Sequence, residues 1–373
     1  MTASSDSGEL FRLEISHRAP ADWDSLLSRD PAAEYTHTKY WTEAVCTNLP
    51  DARAVWLSVR RSGILVGGMS AVERVGASRM KGLVPGRRRT ESNLEGTTGG
   101  PLVASDLDSS GQDHVFEHLV DGYAGRSLGP LGTCAMVLGP TQEVRFGPLM
   151  LNRQGWVRKD AATAAVSLEG GIEQVEKSRL VRTKRNERNR GLRRGVEVFP
   201  TDDVDLLREY YGIYERASRH WGVEPSPLAL LESLLRDGDG RVFFICVRFE
   251  GKVIGGHLNL HYGGRILAWN GVTDPALSRS HFPATLCFWG DLVEACRRQA
   301  DWLDMGGSGG VGSLVGFKKY FGAELQMRGI YLRESQGTRI LRKGRDLWRS
   351  RPGIASPARW HDVVSGSESG ESP

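Results

Sequence analysis

The strongest chemical bias in this sequence is a clustering of basic side chains. Between Lys177 and Arg194, nine basic residues (Lys177, Arg179, Arg182, Lys184, Arg185, Arg188, Arg190, Arg193, Arg194) stand against one acid, Glu187. A second run carries Arg339, Arg342, Lys343, Arg345, Arg349 and Arg351 against Asp346, and a third is Arg87, Arg88 and Arg89. The net charge is only +4, so the positive charge is concentrated in segments, as suits a polyanionic partner. Nucleophile and metal signatures are missing: there is no GxSxG, no CxxC and no Cys/His pair at zinc spacing. The five cysteines (46, 134, 246, 287, 296) each lie in or beside an apolar stretch and read as reduced, mostly buried thiols. The nine histidines are scattered; His220, His257 and His281 could each act as a base, and no spacing singles one out. MGGSGGVGSL after Asp304 invites a phosphate-loop reading but lacks GxxxxGK[ST], so a flexible loop is expected.

These residues must be positioned by α/β elements. Strand-like FRLEISHR precedes helical DWDSLLSR and the aromatic segment YTHTKYWTEAVCTNL, and two apolar runs around Arg60 to Gly63 read as a hairpin. A helix around Val115 to Ala124, then CAMVLGP and VRFGPLML read as strands, close a first half near residue 160. The second half repeats the order. A basic helix is expected over 173–194, stopped by Gly195, then strand VEVFP, a helix from Val204 to His220 and another in LALLESLLRDGDG. RVFFICVRFEGKVIGGHLNLHYGGRILAWNGV is a three-strand meander with turns at Glu250-Gly251 and Gly263-Gly264. ATLCFWGDLVEACRRQA is an amphipathic helix, ADWLDMGG a short strand, FKKYFGAEL a short helix and QMRGIYLR a last strand. No apolar run approaches the roughly 20 residues that span a bilayer. The polar, acidic start lacks the parts of a secretory signal, so a cytoplasmic location is expected, and the polar tail after Pro352 is expected to be disordered.

Helix pair, meander, central helix and final strand is the element order of a GNAT-type acyl-transfer domain. The second half also resembles the Fem family of nonribosomal aminoacyl-tRNA-dependent transferases. Three segments carry the resemblance: Lys184-Arg185-Asn186-Glu187-Arg188 leading to Arg193-Arg194-Gly195-Val196; His281-Phe282-Pro283 with the helix and strand that follow to Gly307; and Gly316-Phe317-Lys318-Lys319-Tyr320-Phe321-Gly322-Ala323. The first half matches in general outline. The expected fold is therefore α/β (α+β), two tandem GNAT-like domains without an inserted coiled-coil arm: 1–165 on the acceptor side, 166–335 with the acyl-donor site, and 336–373 a basic segment and tail.

The donor can be argued from one loop. An acetyl-CoA enzyme of this architecture binds pyrophosphate on Arg/Gln-x-x-Gly-x-Gly/Ala, where backbone N–H groups open the central helix. Here TDPALSRSHFPATL stands in its place, with no glycine and with Pro283 removing one donor. This argues against CoA, and the resemblance implies a charged tRNA. An aminoacyl ester is already activated, so alignment and stabilisation of the oxyanion suffice for attack by an amine, and no cofactor or metal is expected.

The resemblance implies Lys318 as the key cation, approaching phosphate or the reacting carbonyl, with Phe317 shaping the pocket. Arg185 and Arg188, three apart on one helix face, are candidate contacts to acceptor or tRNA phosphate, against a plain solvated face. Lys39 and Trp41 sit where relatives place acceptor-binding groups, although Trp41 also suits a core. Asn270, in an apolar strand, could bond substrate or be satisfied by backbone. Tyr320 and Phe321 could stack a terminal adenine or simply pack. The implied acceptor is an amine of a peptidoglycan precursor, with peripheral contact to the inner membrane face, or of a small biosynthetic intermediate. Competing readings are an acyl-CoA or acyl-carrier N-acyltransferase and a non-catalytic RNA-binding protein on the same scaffold.

Overall fold

The computed structural model describes residues 11–75, 88–92, 97–309 and 311–349. The chain forms two compact units: 1–160 with 328–346, and 161–327 with the residues after 346. Unit 1 runs β1 (Arg12–Ser16), α1 (Trp23–Arg29), α2 (Lys39–Asn48), β2 (Ala52–Arg61), β3 (Ile64–Val75), β4 (Arg88–Glu91), β5 (Leu102–Val103), α3 (Ser109–Leu128), β6 (Gly132–Leu138), α4 (Pro140–Leu151) and the start of β7 (Trp156–Ser167). Strands β1 to β4 pair antiparallel in sequence order, and β6 then lies parallel to β4. Ser62 and Gly63 both take positive φ (50° and 82°) in the β2–β3 turn, the two-residue geometry whose twist matches the strands it joins.

The expected strand VRFGPLML is helix α4. Pro140 opens it at the first helical position, where a missing N–H costs nothing, and the Gln142 side chain accepts from the Gly139 N–H at 3.1 Å. The core of unit 1 packs Phe116 face to face with Phe146 at 4.3 Å, over Val55, Leu57 and Met136.

Unit 2 continues with the single turn α5 (Gly171–Gln174), α6 (Arg182–Arg193), β8 (Glu197–Thr201), α7 (Val204–Trp221), α8 (Leu228–Asp237), β9 (Val242–Phe249), β10 (Lys252–Tyr262), β11 (Arg265–Thr273), α9 (Pro283–Arg297), β12 (Trp302–Gly307), α10 (Gly312–Lys319) and the start of β13 (Glu324–Glu334), whose later residues, with most of α11 (Gln336–Arg349), fall in unit 1. Strands β8 to β11 form an antiparallel meander, β12 lies parallel to β11, and Thr163–Ser167 of β7 pairs with β12. Meander, helix, parallel strand is thus the order in both units. Its second core gathers Phe288, Phe321, Ile245, Leu292 and Leu303.

Three boundaries differ from the sequence reading. The second unit does not keep 166–335 together, because Gly329–Glu334 of β13 pairs with β6 and belongs to unit 1. The basic helix expected over 173–194 is broken. Val175–Arg179 forms a wide π turn, and Leu180 leaves helical geometry and is buried before α6 begins. Finally, the glycine-rich loop is shorter than expected, since α10 already starts at Gly312. The expected disorder after Pro352 falls outside the described residues.

Candidate active site

The site is built where β11 and β12 part. They pair only from Arg265 with Trp302 to Leu267 with Asp304, while β11 runs on to Thr273, with Trp269 as an extra residue at a bulge against β10. From Ala268 onward, among the described residues, no strand pairs with that edge of β11, so the two strands part there and leave a wedge at the end of β12.

Asp304 holds the apex. It is 3% exposed. Its Oδ1 accepts from the Thr163 hydroxyl and, at 2.8 Å, from the Gly306 N–H; its Oδ2 accepts from Arg265 Nε at 3.2 Å and Nη2 at 2.6 Å. Gly306 turns the chain with φ of 77°. Lys318 secures that turn, its ammonium donating to the carbonyl oxygens of Gly306 (2.8 Å) and Gly307 (2.9 Å) from a side chain buried on α10. The candidate cation is therefore coordinated by backbone, and its charge sits behind the turn at the end of β12.

Phe317 packs against Phe288 and Phe321 and presents its ring to the Lys184 ammonium at 4.4 Å. Lys184 also donates to Glu187 Oε2 at 2.6 Å, and the same oxygen accepts from the Thr285 hydroxyl at 2.6 Å. Thr285 lies in the first turn of α9, which starts at Pro283, one residue before the helix read from the sequence, behind Phe282 at φ of 53°. α6 approaches α9 closely at Gly191, where an added Cβ would lie 2.8 Å from Leu286 Cδ1.

Arg185 and Arg188 turn inward. Arg185 donates to the Glu176 carbonyl at 3.1 Å; Arg188 pairs with the Glu176 carboxylate at 2.6 Å and stacks on Trp289 at 4.2 Å. That ion pair pulls the Glu176 carboxyl below its ordinary pKa. The break before α6 makes this possible by folding Glu176 back over the helix. The exposed cations of the segment are instead Lys177, Arg182, Arg190, Arg193 and Arg194. Arg190 lies over the Phe282 ring and Arg194 donates to the Ser280 carbonyl, so they border the loop that leads into α9. Of the other runs, Arg88 and Arg89 pair with Glu73 and Glu91, and Arg342 pairs with Glu334; Arg87 and Arg351 lie outside the described residues.

The remaining candidates scatter. Tyr320 is half exposed, and its carbonyl accepts from the Val181 N–H at 3.0 Å. Asn270 lies on the opposite face of the sheet, accepting from the Tyr210 hydroxyl at 2.7 Å, where burial pushes that phenol well above its ordinary pKa. In unit 1, Lys39 pairs with Asp24 at 2.7 Å, and Trp41 is buried in the core. Of the three histidines singled out, His220 is exposed, His281 meets the Ser280 hydroxyl at 2.8 Å, and His257 is buried against Asp291. All five cysteines are free thiols. Sequence reading missed Lys184, Glu187, Thr285 and the Asp304 network. A spacing signal existed for α6 alone: Lys184, Arg188 and Gly191 at i, i+4, i+7 mark its packed stripe.

Comparison with known proteins matches residues 178–319 to the acetyltransferase (GNAT) domain family. Among solved structures, FemX is 13% identical, covering 88% of this chain and 99% of its own, with a TM-score of 0.66. The C-terminal domain of a proposed lysylphosphatidylglycerol synthetase from Agrobacterium fabrum is 13% identical over 87% of this chain and 94% of its own, with a TM-score of 0.54. A tandem GNAT protein from the clavulanic acid biosynthesis pathway is 13% identical over 87% of this chain and 99% of its own, with a TM-score of 0.50. No curated protein matches the sequence. At such identities the structural likeness speaks for the fold, and the family match for the second unit. The chain therefore has the Fem-like tandem GNAT fold, and residues 178–319 within its second unit are similar to the acetyltransferase (GNAT) domain family.

Proposed function

We propose that this protein is an acyltransferase that takes an aminoacyl group from aminoacyl-tRNA and delivers it to an amine of a peptidoglycan precursor or a small biosynthetic intermediate. The observation that carries this reading is the start of α9. A helix N-terminus favours an anion, and here the chain supplies one itself: the Glu187 carboxylate bonds to Thr285 in the first turn. With Pro283 donating no N–H, that end of the helix is poorly suited to a CoA pyrophosphate. The exposed cations of α6 border the same loop and suit the phosphates near the terminus of a charged tRNA. FemX and a protein named as a lysylphosphatidylglycerol synthetase among the similar folds support aminoacyl transfer over acetyl transfer. The open edge of β11 offers N–H groups to the acyl carbonyl, which with alignment of the amine is what transfer from an ester needs.

A carrier-bound acyl group is the second reading, favoured by the same β11 edge, since an extended amide chain such as phosphopantetheine pairs with a free strand edge. Among the described residues no helix is long and apolar enough to cross a membrane. A cytoplasmic enzyme that reaches a peptidoglycan acceptor at the inner membrane face is consistent with that.

The test is tRNA binding as a function of salt. Arg182, Arg190 and Arg193 share the exposed face of α6, and changing all three to Gln should flatten the slope of log affinity against log salt by roughly 2, at ~0.7 per lost phosphate contact. An unchanged slope, measured by filter binding, would place the tRNA elsewhere or remove it from the account.

A further inference from the structure

His257 on β10 and Asp291 on α9 form a buried pair, with Nδ1 and Oδ2 2.5 Å apart and the Asp291 side chain fully enclosed. Asn259, also fully buried, donates to Asp291 Oδ1 at 2.9 Å and to the His257 carbonyl at 3.1 Å. A carboxylate only accepts, so His257 Nδ1 carries the proton that faces Asp291, and Nε2 is the ring nitrogen turned away from the pair. Nε2 makes no hydrogen bond among the described residues. The ring lies across Gly271, its register partner on β11: a Cβ there would fall 2.2 Å from Cδ2 and 2.6 Å from Nε2. Gly271 is solvent-exposed and belongs to the stretch of β11 that β12 has left. Phe288 meets the imidazole edge-on at 4.5 Å and fixes its plane.

An enclosed His–Asp–Asn trio between a sheet and a helix is costly beside the apolar packing that could replace it. It nevertheless orients one nitrogen toward the strand that lines the wedge. We propose that His257 is the proton acceptor of the acyl transfer, with Asp291 and Asn259 as its positioning residues; this rests on reading the wedge as the acyl-donor site. The amine nitrogen bonds to the acyl carbon and His257 Nε2 takes the proton that nitrogen must lose. The acyl–oxygen bond then breaks and the same proton passes to the departing ribose oxygen, so no further reactant is required. Asp291 does for His257 what the orienting acid does in a catalytic triad, fixing tautomer and ring. Beside Asp291 on α9 lies Cys287, whose thiol burial pushes well above its ordinary pKa. β9 sets Ile245 opposite His257, and β11 sets Gly271 there.

His257→Asn keeps an N–H near the Nδ1 position for Asp291 and deletes Nε2. With a pool of radiolabelled aminoacyl-tRNA as donor, kcat should fall roughly 100-fold or more, KM for the tRNA should stay within about threefold, and the acid limb of the pH–rate profile should disappear. In parallel, imidazole 15N spectra of the full-length protein at neutral pH should show the Nδ1–H tautomer at His257, and lose it in Asp291→Asn. Transfer by His257→Asn within threefold of wild type overturns the proposal, as does an Nε2–H or doubly protonated ring. Wild-type protein that transfers nothing from charged tRNA removes the donor reading instead, and the 15N signature then judges His257 by itself.

Discussion

Asp304→Ala is expected to destabilise unit 2 by about 3–5 kcal/mol, the usual consequence of removing one partner from a buried ion pair. The wild-type carboxylate satisfies the Thr163 hydroxyl, the Gly306 N–H and two nitrogens of Arg265. Alanine leaves these donors without this acceptor at 3% exposure, and the Arg265 guanidinium loses its carboxylate while keeping the neutral oxygen of Gln326, 3.0 Å from Nη2. The damage falls where β11 and β12 separate, so the wedge should lose its shape and acyl transfer should fall with stability. Urea unfolding followed by tryptophan fluorescence measures the loss, and Asp304→Asn, which keeps one acceptor oxygen, should cost visibly less. Equal stability of Asp304→Ala and wild type would show that the apex is held by something other than this network.

Lys318→Ala should lower stability and transfer together. Its ammonium is buried and donates to the carbonyls of half-buried Gly306 and exposed Gly307, and a hydrogen bond made by a charged group contributes about 1.5–3 kcal/mol. A loss of about 3 kcal/mol corresponds to a fall in Tm of roughly 6–12 °C for a unit of this size. A lysine that instead reached out to donor phosphate or to the reacting carbonyl would, when removed, slow transfer at unchanged Tm. Differential scanning fluorimetry beside the transfer assay separates the two, because the structure makes Lys318 the support of the β12 turn first. Any direct contact with donor would then appear as an additional loss in kcat in variants compared below their melting range.

Much of the fold was legible because local chemistry agrees with tertiary structure. Ser62-Gly63 and Glu250-Gly251 are turns that need positive φ at both positions, and both pairs adopt it. Pro283 marks the start of α9 through the same preference that places proline at a first helical position. The failures have physical causes too. VRFGPLML carries a glycine and a proline inside a helix whose face is fixed by Phe146 and Met150 in the core, so packing overrode propensity. The basic helix looked continuous because nine cations mask the buried Leu180 at which the chain turns.

The candidate site was legible in its segments and obscure in its roles. The Phe317-Lys318 pair does sit at the end of β12, but only coordinates show that the lysine faces two carbonyls. Arg185 and Arg188 were rightly placed three apart on α6, and their partner, Glu176, lies across a helix break with no sequence signature. His257 and Asp291 are separated by a strand, a loop and most of a helix, and nothing in either local pattern announces the pair.

The central claim, that unit 2 transfers an aminoacyl group from tRNA, is tested most directly by offering the purified protein two donors. One is total tRNA charged with radiolabelled amino acids and the other is labelled acetyl-CoA, each with candidate amine acceptors. The account predicts label moving from one aminoacyl-tRNA to an amine, abolished by ribonuclease, with acetyl-CoA left intact. Consumption of acetyl-CoA with the charged tRNA untouched would contradict it, and would mean that α9 accommodates a pyrophosphate despite Pro283 and the Glu187 carboxylate at its first turn.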